Sequence, residues 1–145
     1  MLRLTAMAGL LALPLLVSPA AADELSLYKS FQTPLLQSGR TVLGQQVVYP
    51  PGPAKLTSVT TLLPPGAETG WHTHPVPLYV YVLEGTPTVD YGSRGVRHFH
   101  AGQAYLEAMN WPHNAMNKSK APVRLLVIYL GGDALANTTT SPGPK

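Results

Sequence analysis

Apolar positions along this chain come in short, largely β-branched runs, cut at close intervals by fifteen prolines and thirteen glycines. Many short apolar segments with turn signals between them predict an all-β sandwich or barrel. Strands are expected over Val42–Tyr49, Lys55–Leu63, Leu78–Leu83, Thr86–Tyr91, Val96–His100, Gln103–Glu107, His113–Asn117 and Val123–Leu130. The fourth and fifth read as a hairpin across Gly92-Ser93-Arg94-Gly95. Leu78 to Leu83 is apolar at every position, so both of its faces should be covered, the outer one by another element or a second subunit. No helical period and no internal repeat is visible after the first 22 residues.

Those first residues follow a different pattern. Arg3 precedes an almost unbroken apolar run from Leu4 to Val17, and Ala20-Ala21-Ala22 follows as a small-residue cleavage site. This is the layout of a secretory signal peptide, so a periplasmic or secreted protein is expected. The predicted organisation is a signal peptide over 1–22 and a lead-in segment over 23–41, with a short strand or helical turn near Leu35-Leu36. A single β domain over 42–130 and a flexible tail over 131–145 complete it. After position 22, nine basic residues stand against seven acidic, and no Lys/Arg cluster is present. Nucleic-acid binding therefore has no electrostatic footprint. No later apolar run is long enough to span a bilayer, so no membrane partner is expected once the signal is removed. The sequence has no cysteine, which excludes disulfides and thiol catalysis.

Chemistry concentrates at Gly70-Trp71-His72-Thr73-His74-Pro75. In an extended segment His72 and His74 project from one face, and imidazole is the commonest protein ligand for transition metals. Gly66 is followed by five residues, His72, one, His74, three, Leu78, six, and Gly85. Gly102 is followed by five residues, Ala108, one, Asn110, two, His113, three, and Asn117. These spacings resemble the two signature motifs of the cupin family, with Leu78 where the first motif usually has glutamate. Ala108 and Asn110 stand where the second usually has proline and glycine. Asn is the residue other than glycine that best tolerates the positive φ of such a turn.

The resemblance runs from about Val42 to Leu130 and implies a cupin-type double-stranded β-helix, a jelly-roll barrel. It further implies that His72, His74 and His113 converge inside the barrel on a divalent metal: Fe, Mn, Ni, Cu or Zn. Leu78 supplies no carboxylate, which leaves a histidine-only set beside an apolar wall. Glu107, one position before the second-motif turn, is a candidate distal ligand or general base if it points inward, and a surface carboxylate if it does not. His98 and His100 share a face, and nothing beyond that parity supports ligation by them. Trp71, Tyr105 and Trp111 flank the motifs and are candidates for the cavity mouth, while Asn117 is expected to satisfy backbone groups.

The expected function is a metalloenzyme of oxygenase or lyase type acting on a small organic molecule, and the resemblance also implies a homodimer. The alternative is a non-catalytic, small-ligand-binding barrel with a degenerate metal site.

Overall fold

The computed structural model describes residues 32–143, so the signal peptide expected over 1–22 lies outside the described residues. Among the described residues nine strands carry the fold: β1 (Ala54–Leu63), β2 (His72–Thr73), β3 (Leu78–Glu84), β4 (Thr88–Asp90), β5 (Val96–His98), β6 (Ala104–Leu106), β7 (Asn114–Met116), β8 (Val123–Gly132) and β9 (Thr139–Thr140). They form a four-stranded sheet in the order β1-β8-β3-β6, a three-stranded sheet β5-β4-β7 and a two-stranded pair β2-β9. Every strand pairing within these sheets is antiparallel. No helix among the described residues is long and apolar enough to cross a membrane.

The large sheet reflects its residue pattern. β1 and β8 pair over ten residues, from Ala54 opposite Gly132 to Leu63 opposite Val123. On β3 and β8 alternate side chains turn inward, so Leu78, Val80, Val82, Val123, Leu125 and Val127 are buried in one cluster with Leu63 and Tyr105. Burying a side chain of this size stabilises a fold by roughly 1.5–3 kcal/mol. A second cluster holds Val89, Tyr91 and Ala108. Val42, Phe99 and Ala115 pack against both clusters, and the Phe99 ring stacks 3.7 Å from that of Tyr105. The two sheets therefore close over one apolar interior, as a jelly-roll barrel requires.

The expected hairpin is present, with a single 3-10 turn over Gly92–Arg94 joining β4 to β5. Asn110 has φ 51°, the only positive φ outside glycine among the described residues, as the second motif's turn demands. Asn117 is buried and donates to Leu63 O (2.8 Å) and Ala121 O (2.7 Å), the backbone role expected of it.

Three expectations need correction. Val42–Tyr49 is not a strand: the chain turns back at Gly44 (φ 79°), and only Arg40 and Gln46 form a bridge. Gln45 then clips that turn to Met109, accepting from its N–H (3.0 Å) and donating to its carbonyl (2.7 Å). Leu35 and Leu36 lie in neither strand nor helix. Residues 131–145 are not simply a tail, because Gly131 and Gly132 complete β8 and β9 pairs with His72 and Thr73. Threonine pairs well at a strand edge without any apolar period to announce it.

Gly85 ends β3 with φ 79°, and a Cβ there would lie 2.8 Å from both Pro122 O and Val123 Cγ2. Gly85→Ala combines left-handed strain with a clash against backbone. The expected cost is about 2 kcal/mol, read as a lower midpoint in urea unfolding.

Candidate metal centre

His72 opens β2, His74 follows two residues later, and His113 immediately precedes β7. Two backbone bridges bring them together. His72 and His113 exchange N–H···O bonds of 3.0 Å in each direction, and His74 O accepts from Asn110 N at 2.9 Å. The imidazole centroids lie 4.5, 4.8 and 5.0 Å apart. His113 is 1% exposed and His74 2%, while His72 is half-buried.

The tautomers are set by the backbone. Nδ1 of His72 lies 2.8 Å from Gly70 O, that of His74 2.9 Å from Asn137 O, and that of His113 2.8 Å from Trp111 O. A carbonyl oxygen can only accept, so each Nδ1 carries the proton and each Nε2 keeps its lone pair. Burial pushes all three imidazoles below their ordinary range, His74 to about 3, and keeps them neutral at pH 7. His113 Nε2 is buried and finds no hydrogen-bond partner among the described residues. An orphaned buried acceptor costs stability unless something fills the role.

The three residues fit a divalent metal on that chemistry. Their ligating atoms all lie within 4.8 Å of one another, against the roughly 3.4 Å between two nitrogens on one tetrahedral zinc. Modest side-chain adjustment closes the set. They face a cavity of about 70 Å³ whose other walls include Leu78, Val80, Leu125 and Val127. A wider pocket of about 440 Å³, lined by Trp71, Thr138 and Ser141 among others, shares His72, Thr69 and Tyr129 with it.

Glu107 points inward. It is 4% exposed, lines the same cavity, and its Oε2 lies 3.9 Å from His113 Nε2. Its Oε1 accepts from Tyr91 OH (2.8 Å) and Ala108 N (2.6 Å). Burial pushes its carboxyl up to about 7, and the two hydrogen bonds restrain that rise. Burial likewise raises the Tyr91 hydroxyl, so it stays protonated as a donor.

The remaining candidates separate cleanly. Tyr105 lines the inner cavity and Trp71 the outer pocket. Trp111 Nε1 instead donates to Tyr91 O at 2.9 Å. His98 and His100 are exposed on the far hairpin, bonded to Thr88 and Thr86. Sequence reasoning missed Tyr91, Tyr129 and the segment at Asn137. Tyr91 follows buried Val89 on β4 and carried no motif, while Asn137 acts through a carbonyl that any residue would supply.

Comparison with known proteins agrees with this architecture. The cupin domain profile matches residues 59–129. No curated protein matches the chain. Among solved structures, an uncharacterized conserved protein with a double-stranded β-helix domain from Klebsiella pneumoniae superposes with a TM-score of 0.52 at 22% identity, over 74% of this chain and 89% of that one. The DMSP lyase DddQ from Ruegeria pomeroyi gives 0.52 at 20% identity, over 62% of this chain and 45% of that one. The polyketide cyclase RemF from Streptomyces resistomycificus gives 0.51 at 19%, over 61% and 63%. This chain thus spans less than half the length of the lyase it resembles. At these identities the likeness shows the fold. Taken with the profile match and the observed barrel, it shows that residues 59–129 form a cupin domain.

Proposed function

We propose that this protein is an exported metalloenzyme that holds one divalent transition metal on His72, His74 and His113 and acts on a small organic molecule by lyase or oxygenase chemistry. One observation carries the reading: all three Nδ1 atoms are committed to carbonyls, which frees three Nε2 lone pairs toward one small cavity. A divalent ion bound there would supply a Lewis acid that polarises a substrate oxygen. The chain's own part is binding and exclusion. Leu78, Val80, Leu125 and Val127 keep the inner cavity apolar, and the outer pocket gives a substrate its approach. About 70 Å³ inside suits a reacting group of a few heavy atoms, with the rest of the molecule in the outer pocket.

Lyase chemistry is supported by the fold likeness to a DMSP lyase, which shares the barrel at 20% identity. Export is supported by the pattern of residues 1–22. A homodimer is supported by the outer face of the large sheet, where Leu56 (63%), Leu62 (59%) and Leu83 (42%) are exposed.

The test is a screen of small carboxylate, sulfonium and carbonyl compounds, with protein stripped by chelator and then reloaded with single metals. Turnover that disappears on stripping and returns on reloading is the expected outcome. Turnover that also requires oxygen assigns an oxygenase, and turnover without oxygen a lyase. Ligand binding without turnover by fully loaded protein would favour the non-catalytic alternative.

A further inference from the structure

We propose that Glu107 is a fourth protein ligand of the centre, binding the metal through Oε2 from the strand opposite Leu78. The inference rests on the three-histidine reading above and extends it. Its first support is register. β3 and β6 pair with Tyr79 opposite Leu106 and Val80 opposite Tyr105, and Glu107 N donates to Leu78 O at 2.8 Å. Glu107 therefore continues the ladder directly across from Leu78. Directly opposed residues project from the same face of a sheet, with Cβ atoms about 5 Å apart. Both side chains line the inner cavity. Leu78 is the position where the motif comparison calls for a carboxylate, and here the carboxylate stands on its cross-strand neighbour.

The second support is how the group is held. Oε1 accepts the hydrogen bonds from Tyr91 OH and Ala108 N, and Oε2 takes neither. A ligating carboxylate fixed through one oxygen presents the other in a set direction. Oε2 lies 3.9 Å from His113 Nε2, inside the 4.8 Å spread of the histidine donors themselves. Tyr91 is fully buried, so the strut behind the carboxylate is itself rigid.

The third support is charge. Three neutral imidazoles would leave a buried dication with no protein counter-charge, which is costly in an apolar interior. Among the described residues, Glu107 is the only acidic one in the set of buried polar and charged groups. A carboxylate on Oε2 would halve the net charge without opening the cavity to solvent.

Co²⁺ titration of metal-free protein tests this, with affinity and the visible d–d spectrum as readouts. Glu107→Gln keeps the shape and an acceptor for Tyr91 but loses the charge. It should bind Co²⁺ about 1000-fold more weakly, with a changed spectrum, and Tyr91→Phe, which removes only the partner behind the carboxylate, should move both in the same direction by about 10- to 100-fold. The exchange variant Leu78→Glu/Glu107→Leu should recover most of the affinity. Co²⁺ binding by Glu107→Gln with the parent's affinity and spectrum overturns the proposal. Because a buried substitution can fail to fold, a crystal structure of the Co²⁺-loaded parent decides without any variant. Oε2 at about 2.1 Å from the metal supports ligation, and Oε2 beyond bonding distance overturns it. His72→Ala separates the two claims. Parent-like Co²⁺ binding in that variant strikes the histidine centre, whereas its loss there, with parent-like binding in Glu107→Gln, strikes this inference alone.

Discussion

Replacing His113 with alanine should abolish tight metal binding while leaving a folded barrel. His113 is central to the set: its ring lies 4.5 Å from His72 and 5.0 Å from His74, and its Nε2 is the buried acceptor without a partner. Removing an outer-shell partner of a metal ligand costs 10- to 100-fold in affinity, so losing the ligand itself should cost about 1000-fold or more. The substitution also empties space beside Tyr91, whose ring is 5.8 Å away, and a cavity of that kind costs roughly 2 kcal/mol. His113→Gln fills part of that space and separates the two effects. Competition against a chelator of known affinity should show both variants failing to retain metal, with His113→Gln melting closer to the parent. Parent-like retention in either variant would exclude His113 from the set.

A chain ending at Ala136 should still fold and should bind metal roughly 100-fold more weakly. Every residue of the main core cluster lies before Gly132, so the large sheet does not depend on the residues beyond β8. The site does depend on them. Asn137 O accepts from His74 Nδ1, Thr138 Oγ1 lies 3.2 Å from the same atom, and β9 pairs with the strand that carries His72. Without the segment, His74 loses the acceptor that holds its tautomer, and β2 loses its strand partner. Asn137→Ala is the matching control, since it keeps the carbonyl and should keep the affinity. Far-UV circular dichroism checks the fold and chelator competition the site. Unaltered affinity in the truncated chain would show that the 137–140 segment has no part in orienting the histidines.

The parts of the fold legible in the sequence were those with strong local signals. Pro64-Pro65-Gly66 ends β1 at Leu63, and the apolar run from Leu78 places β3. The resemblance to the cupin motifs linked His72 and His74 to His113, although thirty-eight residues lie between His74 and His113. Where contacts are set by distant backbone, the sequence was silent. Val42–Tyr49 has a strand's composition, yet Gly44 and the clip from Gln45 to Met109 make it a turn. The Thr139–Thr140 pairing has no apolar signature because it is made by main chain at an edge. Glu107 was the ambiguous case. It shares parity with buried Tyr105, but a strand of only three residues, followed by a turn, does not fix the next side chain's direction. The bond from Glu107 N to Leu78 O, which continues the β3–β6 ladder, does fix it.

That three histidines from two segments hold one metal is most directly tested by X-ray absorption on protein loaded to saturation with a single divalent metal. The account predicts one metal per chain, with three imidazole nitrogens at about 2.1 Å in its first shell. A protein that takes up no metal, or a first shell without imidazole, would contradict it.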